Sequence, residues 1–167
     1  MLQETVEHVV RTKASDELIS VPASSTVAEA VQVMAARHVG AVLIKTEDGL
    51  VGGIFTERDV LVRVVNAGLD PKKTPISMVM TRDVRFVTPG TTIEAALSLM
   101  HMNRHRHLLV IDGPRVFGLI SIGDLVRQMI EQTVREIADR PFIDRPDGVA
   151  RNRISLRFTD VEIAVIT

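Results

Sequence analysis

Two stretches of the chain carry the same order of apolar and polar positions. Residues 21–68 open with a short extended segment, VPASS, and then place Val27, Ala30, Val31 and Met34 at i, i+3, i+4 and i+7. That spacing puts the four side chains on one stripe of a helix. Two apolar runs follow, GAVLI and LVGGIF, parted by an acidic turn with a glycine. They predict two strands joined as a hairpin, with a second helix opening at Thr56.

Residues 87–132 repeat this plan. Ile93, Ala96, Leu97 and Met100 fall 66 positions after the first stripe, HLLVI and RVFGLI replace the strands, and a helix opens at Ser121. The offset drops to 65 at Gly53, which falls on Gly118, because the turn DGP is shorter than TEDG. A repeat of this size is the first organising fact about a chain. Each copy reads β-α-β-β-α. Thr26 with Glu29, and Thr91 with Glu94, have capping-box spacing at the two helix starts.

The boundaries follow from punctuation. A helix is expected within 1–14, with Val6, Val9 and Val10 on one side. The first repeat covers 15–70, a connector marked by Asp70-Pro71 and Thr74-Pro75 covers 71–86, and the second repeat covers 87–138. The tail, 139–167, starts as a charged loop and ends in alternating apolar residues. It predicts one bulged strand or a short hairpin.

Composition narrows the function classes. The formal net charge is −1, which argues against a general nucleic-acid binder. The chain has no cysteine, so disulfides, thiolate catalysis and cysteine-zinc sites are excluded. It has no Trp or Tyr and five Phe, so the core must rest on Val, Ile, Leu, Ala and Met. Apolar runs of about five residues fall far short of the roughly 20 that span a bilayer. The start of the chain lacks the apolar stretch of a signal peptide. A cytoplasmic protein with no membrane partner is expected.

The elements GIFTERD at Gly53–Asp59 and GLISIGD at Gly118–Asp124, with RHVGAVLI, NRHRHLLVID and the connector's PISMVMT, resemble the CBS-domain family. The resemblance covers about residues 15–135. It implies an α/β fold in which two pseudo-symmetric β-α-β-β-α repeats pack through their sheets, with the N-terminal helix and the extended C-terminal tail added. It also implies a regulatory rather than catalytic role and a homodimer built through the repeats. The expected regulatory ligand is AMP, ADP or ATP, in a cleft between the repeats. NAD(H) or S-adenosylmethionine is the alternative, as is a scaffold that binds nothing. No enzyme domain is fused in this sequence, so a regulated protein would act in trans.

The motif chemistry fits such a ligand. A helix opening at Thr56 or Ser121 offers unpaired N–H groups and partial positive charge to a phosphate. The hydroxyl of either residue can add a hydrogen bond. The resemblance gives Asp59 and Asp124 the role of accepting from ribose hydroxyls, and gives Arg58, Arg106 and His107 a phosphate role. It makes Val39, Gly40 and Ala41 the adenine contact, with Val21 and Val87 walling the base. The bland readings stand beside these. Ser/Thr-x-x-Asp is an N-cap that needs no ligand, Arg104–His107 suits a solvated helix end, and valines suit a core. His101 and His105, at i and i+4, could share a metal, but no third ligand is near in sequence. No paired base and nucleophile emerges, and no catalytic cofactor is implied.

Overall fold

The computed structural model describes residues 4–13 and 18–138. The expected strand or hairpin in the tail lies outside the described residues. The first repeat contains β1 (Ser20–Pro22), α2 (Val27–Arg37), β2 (Ala41–Lys45) and β3 (Val51–Thr56). It ends in a single α-helical turn, α3 (Glu57–Asp59), which widens into a π-helical stretch at Val60–Val65. The second repeat contains β4 (Phe86–Val87), α5 (Ile93–Met102), β5 (His107–Asp112), β6 (Arg115–Ser121) and α6 (Ile122–Ala138). Before the repeats lie α1 (Val6–Thr12) and, in the connector, the one-turn α4 (Ile76–Val79).

Each repeat builds a three-stranded sheet, ordered β1-β2-β3 and β4-β5-β6. In each, the first pair is parallel and the second antiparallel. The repeat extends to fine detail. Both hairpins carry a bulge at equivalent places, Ile44/Lys45 and Val110/Ile111. A left-handed residue follows each first helix, His38 directly after α2 and Arg104 two residues after α5, each at φ 53°.

Caps set the helix starts. Thr26 and Glu29 form the full reciprocal capping box of α2. In the second repeat the expected Thr91–Glu94 box is absent. Thr92 is the cap there and accepts from the Ala95 amide. Thr91 is engaged elsewhere, because its hydroxyl accepts from the Thr88 amide and closes the preceding turn.

The short helices are exchanged between repeats. Val6, Val9 and Val10 of α1 are buried in the core of the second repeat, with Ile93, Met100, Leu108 and Ile120. Ile76, Val79 and Met80 are buried in the core of the first, with Val27, Val42 and Phe55. The backbone bonds match. The Val6 amide donates to the Thr91 carbonyl and the Ile76 amide to the Ser25 carbonyl, both at 2.9 Å. A seven-residue helix has no independent stability in water. Burial of three valines, worth about 1.5–3 kcal/mol each, holds α1 in place.

The sheet faces turned away from the helices meet each other. Ala41, Leu43, Ile54 and Leu109 form a third buried cluster, flanked by Leu18, Val84 and Leu119. The two repeats therefore pack through their sheets around a pseudo-twofold axis, with the Asp-bearing helix starts at the edges of that junction.

Candidate functional site

Two clefts open at the junction. Cleft one, of about 470 Å³, joins the Thr56–Asp59 helix start of the first repeat to Asn103–His107 of the second. Cleft two, of about 500 Å³, joins Ser121, Gly123 and Asp124 of the second repeat to Arg37–Ala41 of the first. Each cleft thus takes its helix start from one repeat and its helix-to-strand junction from the other.

The helix starts are alike. Asp59 Oδ2 accepts from the Thr56 amide at 2.9 Å and its hydroxyl at 2.7 Å, and the Asp59 amide donates back to Thr56 Oγ1. Asp124 Oδ2 accepts from the Ser121 amide at 2.7 Å and its hydroxyl at 2.8 Å, with the same return bond. Both motifs are therefore complete caps. The first free amides are satisfied too: Glu57 donates to the Gly40 carbonyl and Ile122 to the Arg106 carbonyl. The Thr56 and Ser121 hydroxyls are engaged by their carboxylates and are not free phosphate donors. What the caps leave over is the second carboxylate oxygen of each aspartate.

The carboxylates differ between clefts. Asp59 is buried at 8% exposure. Its Oδ1 faces Arg63 Nε at 3.3 Å and Thr81 Oγ1 at 3.4 Å. Lys13 meets Asp124 on the capping oxygen itself, Oδ2, at 2.8 Å. Burial pushes the Asp124 carboxyl up, but Lys13 and the Ser121 amide and hydroxyl outweigh it, and the net direction is down.

Basic residues gather around cleft one. Arg104 and Arg106 line it from the second repeat and Arg85 from the entry to β4, with Arg58 and Arg63 on the side of the first repeat. Against them stand only Glu57, Asp59 and Asp83 among its acids. Arg58 reaches across and donates from Nη1 to the Arg104 carbonyl at 2.6 Å. His107 lines both clefts. Burial pushes its imidazole down, with Lys13 and Arg106 adding to that and Asp124 and Glu57 opposing it. The neutral form is thereby favoured, and a neutral imidazole offers a phosphate a hydrogen bond but no full charge.

Val39, Gly40 and Ala41 line cleft two, and Gly40 lines cleft one as well. Val21 and Val87 line neither cleft. Both are buried in the helix-side cores. The walls come from residues nearer the strand entries, Leu18 and Ile19 in cleft two and Val84 and Arg85 in cleft one. Among the described residues, no group of three or more His, Asp or Glu stands close enough to hold a metal. Lys13, Arg37 and Arg127 of cleft two, and Glu57, Arg63 and Thr81 of cleft one, were not picked out by the repeat motif. Lys13 had one available signal. VEHVV places apolar residues as ISMVM does, which marks α1 as the counterpart of α4.

Comparison with known proteins agrees with the fold. The family described as CBS domain matches the chain twice, over residues 6–66 and 76–131. The chain is similar to the CBS domain-containing protein CBSCBSPB5 of Arabidopsis thaliana, 34% identical over 147 residues, 87% of this chain and 27% of the plant protein. It spans about a quarter of the length of that relative and of those like it. A second similar protein is CBSX3, mitochondrial, of the same plant, 33% identical over 140 residues, 80% of this chain and 68% of that protein. A solved structure of a protein with CBS domains from Burkholderia ambifaria superposes with a TM-score of 0.72 at 35% identity, covering 84% of this chain and 98% of that one.

Proposed function

The chain belongs to the CBS-domain family, and we propose that it is a regulatory module that binds an adenosine-containing nucleotide, of the AMP, ADP or ATP class, between its repeats. One observation carries this reading. Cleft one gathers the buried, cap-held Asp59 and the guanidinium groups of Arg58, Arg104 and Arg106 around one opening. A carboxylate suits a ribose diol and a fork of guanidiniums suits a phosphate chain. Gly40, without a side chain, leaves backbone open to a base. The module acts on a partner in trans and catalyses no reaction. NAD(H) and S-adenosylmethionine offer the same adenosine and are the competing ligands, and a ligand-free scaffold is the competing role.

Two helices supply a surface for self-association. On α6, Ile122, Val126, Ile130 and Val134 are exposed along one stripe, and the π-helical stretch exposes Leu61 and Val65 at equivalent places. Apolar stripes of this kind mark an interaction site, here a homodimer formed through the repeats. No helix among the described residues is long and apolar enough to cross a membrane, and a cytoplasmic location is part of the proposal.

Calorimetry with AMP, ADP, ATP, NAD(H) and S-adenosylmethionine tests the reading. Asp59→Ala is expected to weaken binding by about 10- to 100-fold, the loss of a charge-assisted contact. Bound nucleotide would also stand out near 260 nm, because the chain has no Trp or Tyr. No binding of any of the five at millimolar concentration rejects the proposal.

A further inference from the structure

Two residues line both clefts, Gly40 and His107. Gly40 has no side chain, so the imidazole of His107 is the side chain that the clefts share among the described residues. The repeat breaks at this point. His107 opens β5 and falls 66 positions after Ala41, which opens β2. In the sheets Ala41 pairs with Thr56 and His107 with Ser121, the residues that cap the two helix starts. One copy thus places a methyl group at the junction and the other a titratable ring.

Both clefts suit an anion. Cleft one holds Arg58, Arg104 and Arg106, and cleft two holds Lys13, Arg37 and Arg127, with Asp124 the one acid among its described residues. Charged groups bear on the ring from the elements packed around it: Asp124 of α6, Lys13 at the end of α1, Glu57 of α3 and Arg106 beside it in the chain. Burial is the largest influence and favours the neutral ring; Asp124 and Glu57 oppose it, and Lys13 and Arg106 add to it. A neutral imidazole has one N–H donor and one bare nitrogen. The donor suits a phosphate oxygen. The bare nitrogen presents a lone pair and repels one.

We propose that His107 couples the two clefts: its single N–H serves a phosphate in one cleft at a time, and both clefts fill together when the ring takes up a proton and donates to each side. This rests on the nucleotide reading given above. A phosphate in either cleft favours the charged ring, because an opposite charge nearby favours the charged form. Two phosphates favour it more. Filling of the second cleft and protonation of His107 therefore help each other, as linkage requires. Affinity in the second cleft rises as pH falls towards the ring's ordinary value of 6.5. Above that range the clefts oppose each other, and the chain holds one nucleotide more firmly than two.

The test is calorimetry with ATP at pH 8 and at pH 6, in buffers of differing ionisation enthalpy so that protons are counted. It compares the wild-type chain with His107→Gln and His107→Asn, whose amides can donate but cannot take up a proton. Melting curves confirm that each variant is folded. The titration of ATP itself is common to all three proteins and cancels. In wild type the gap in affinity between the first and second sites should narrow about tenfold from pH 8 to pH 6. Filling the second site should also take up a proton that neither variant takes up. In both variants the gap should stay constant with pH. A gap and a proton count that are the same in wild type as in both variants overturn this inference alone, as does a wild-type second site still empty at pH 6 while the first binds. No ATP binding by any of the three proteins overturns the nucleotide reading itself, and this inference with it.

Discussion

Arg58 and Arg104 meet across the junction of the two repeats: the guanidinium of the first donates to the backbone carbonyl of the second at 2.6 Å. The bond links the α3 start of one repeat to the left-handed turn of the other, at the mouth of cleft one. Arg58→Ala should therefore act twice. An exposed bond of this kind contributes about 0.5–1.5 kcal/mol, which lowers Tm by a few degrees in a chain of this size. ATP affinity should fall about tenfold, while adenosine affinity holds. Thermal melting and calorimetry read the two effects separately.

Arg104 itself offers a cleaner separation of binding from stability. It sits at φ 53°, a region that costs a side-chain-bearing residue about 1–2 kcal/mol and glycine nothing. Arg104→Gly should melt at or slightly above the wild-type temperature and still bind ATP more weakly. His38→Gly, its counterpart at the same φ, should show the same tolerance and leave cleft one unchanged.

The two strand glycines should respond differently to alanine. At Gly118 the added Cβ meets both γ-methyls of the Val10 side chain, which truncation can remove, whereas at Gly53 it meets the Thr81 carbonyl oxygen at 2.7 Å. Gly118→Ala is expected to cost about 1–3 kcal/mol by overpacking. Part of that cost should vanish in a Val10→Ala background, giving a coupling of about 0.5–3 kcal/mol in a double-mutant cycle. Gly53→Ala should cost more, and Met80→Ala should not rescue it, because the obstacle is backbone.

Acid should destabilise the protein in two steps. His107 is held below its ordinary value of 6.5. Its neutral form is thus favoured by folding, and stability is lost as pH falls from about 6.5 through the lowered value. Asp124 is held below 3.8. Its contribution is intact above that value and is lost as pH falls through the lower folded one. Melting temperatures followed from pH 8 to pH 2 should show both windows. His107→Gln should remove the first and Asp124→Asn the second.

Much of the architecture was legible because the chain states it twice. Val27, Ala30 and Met34 matched by Ile93, Ala96 and Met100 leave little freedom in helix type or order. Asp59 and Asp124 were legible because a motif that caps a helix places its carboxylate at the helix start, with or without a ligand. The walls of the clefts were not. β1 and β4 are three and two residues long, too short for alternation to say which face is inward. Val21 and Val87 turned to the helices instead. Thr91 and Thr92 compete for one cap, and local turn bonds decided between them. Lys13 was hidden for another reason: its partner Leu119 is 106 residues away, and only the likeness of VEHVV to ISMVM pointed to where α1 docks.

The exchange of short helices also orders the events of folding. α4 follows the first repeat directly and can close that core as soon as it is made. α1 leaves the ribosome well before β6 and α6 exist, so its three valines have no seat until more than a hundred further residues have emerged. Contacts of such sequence separation form late and slowly. During synthesis the helix that is made earlier is the one that docks last, and its apolar face is what a chaperone would meet in the interval.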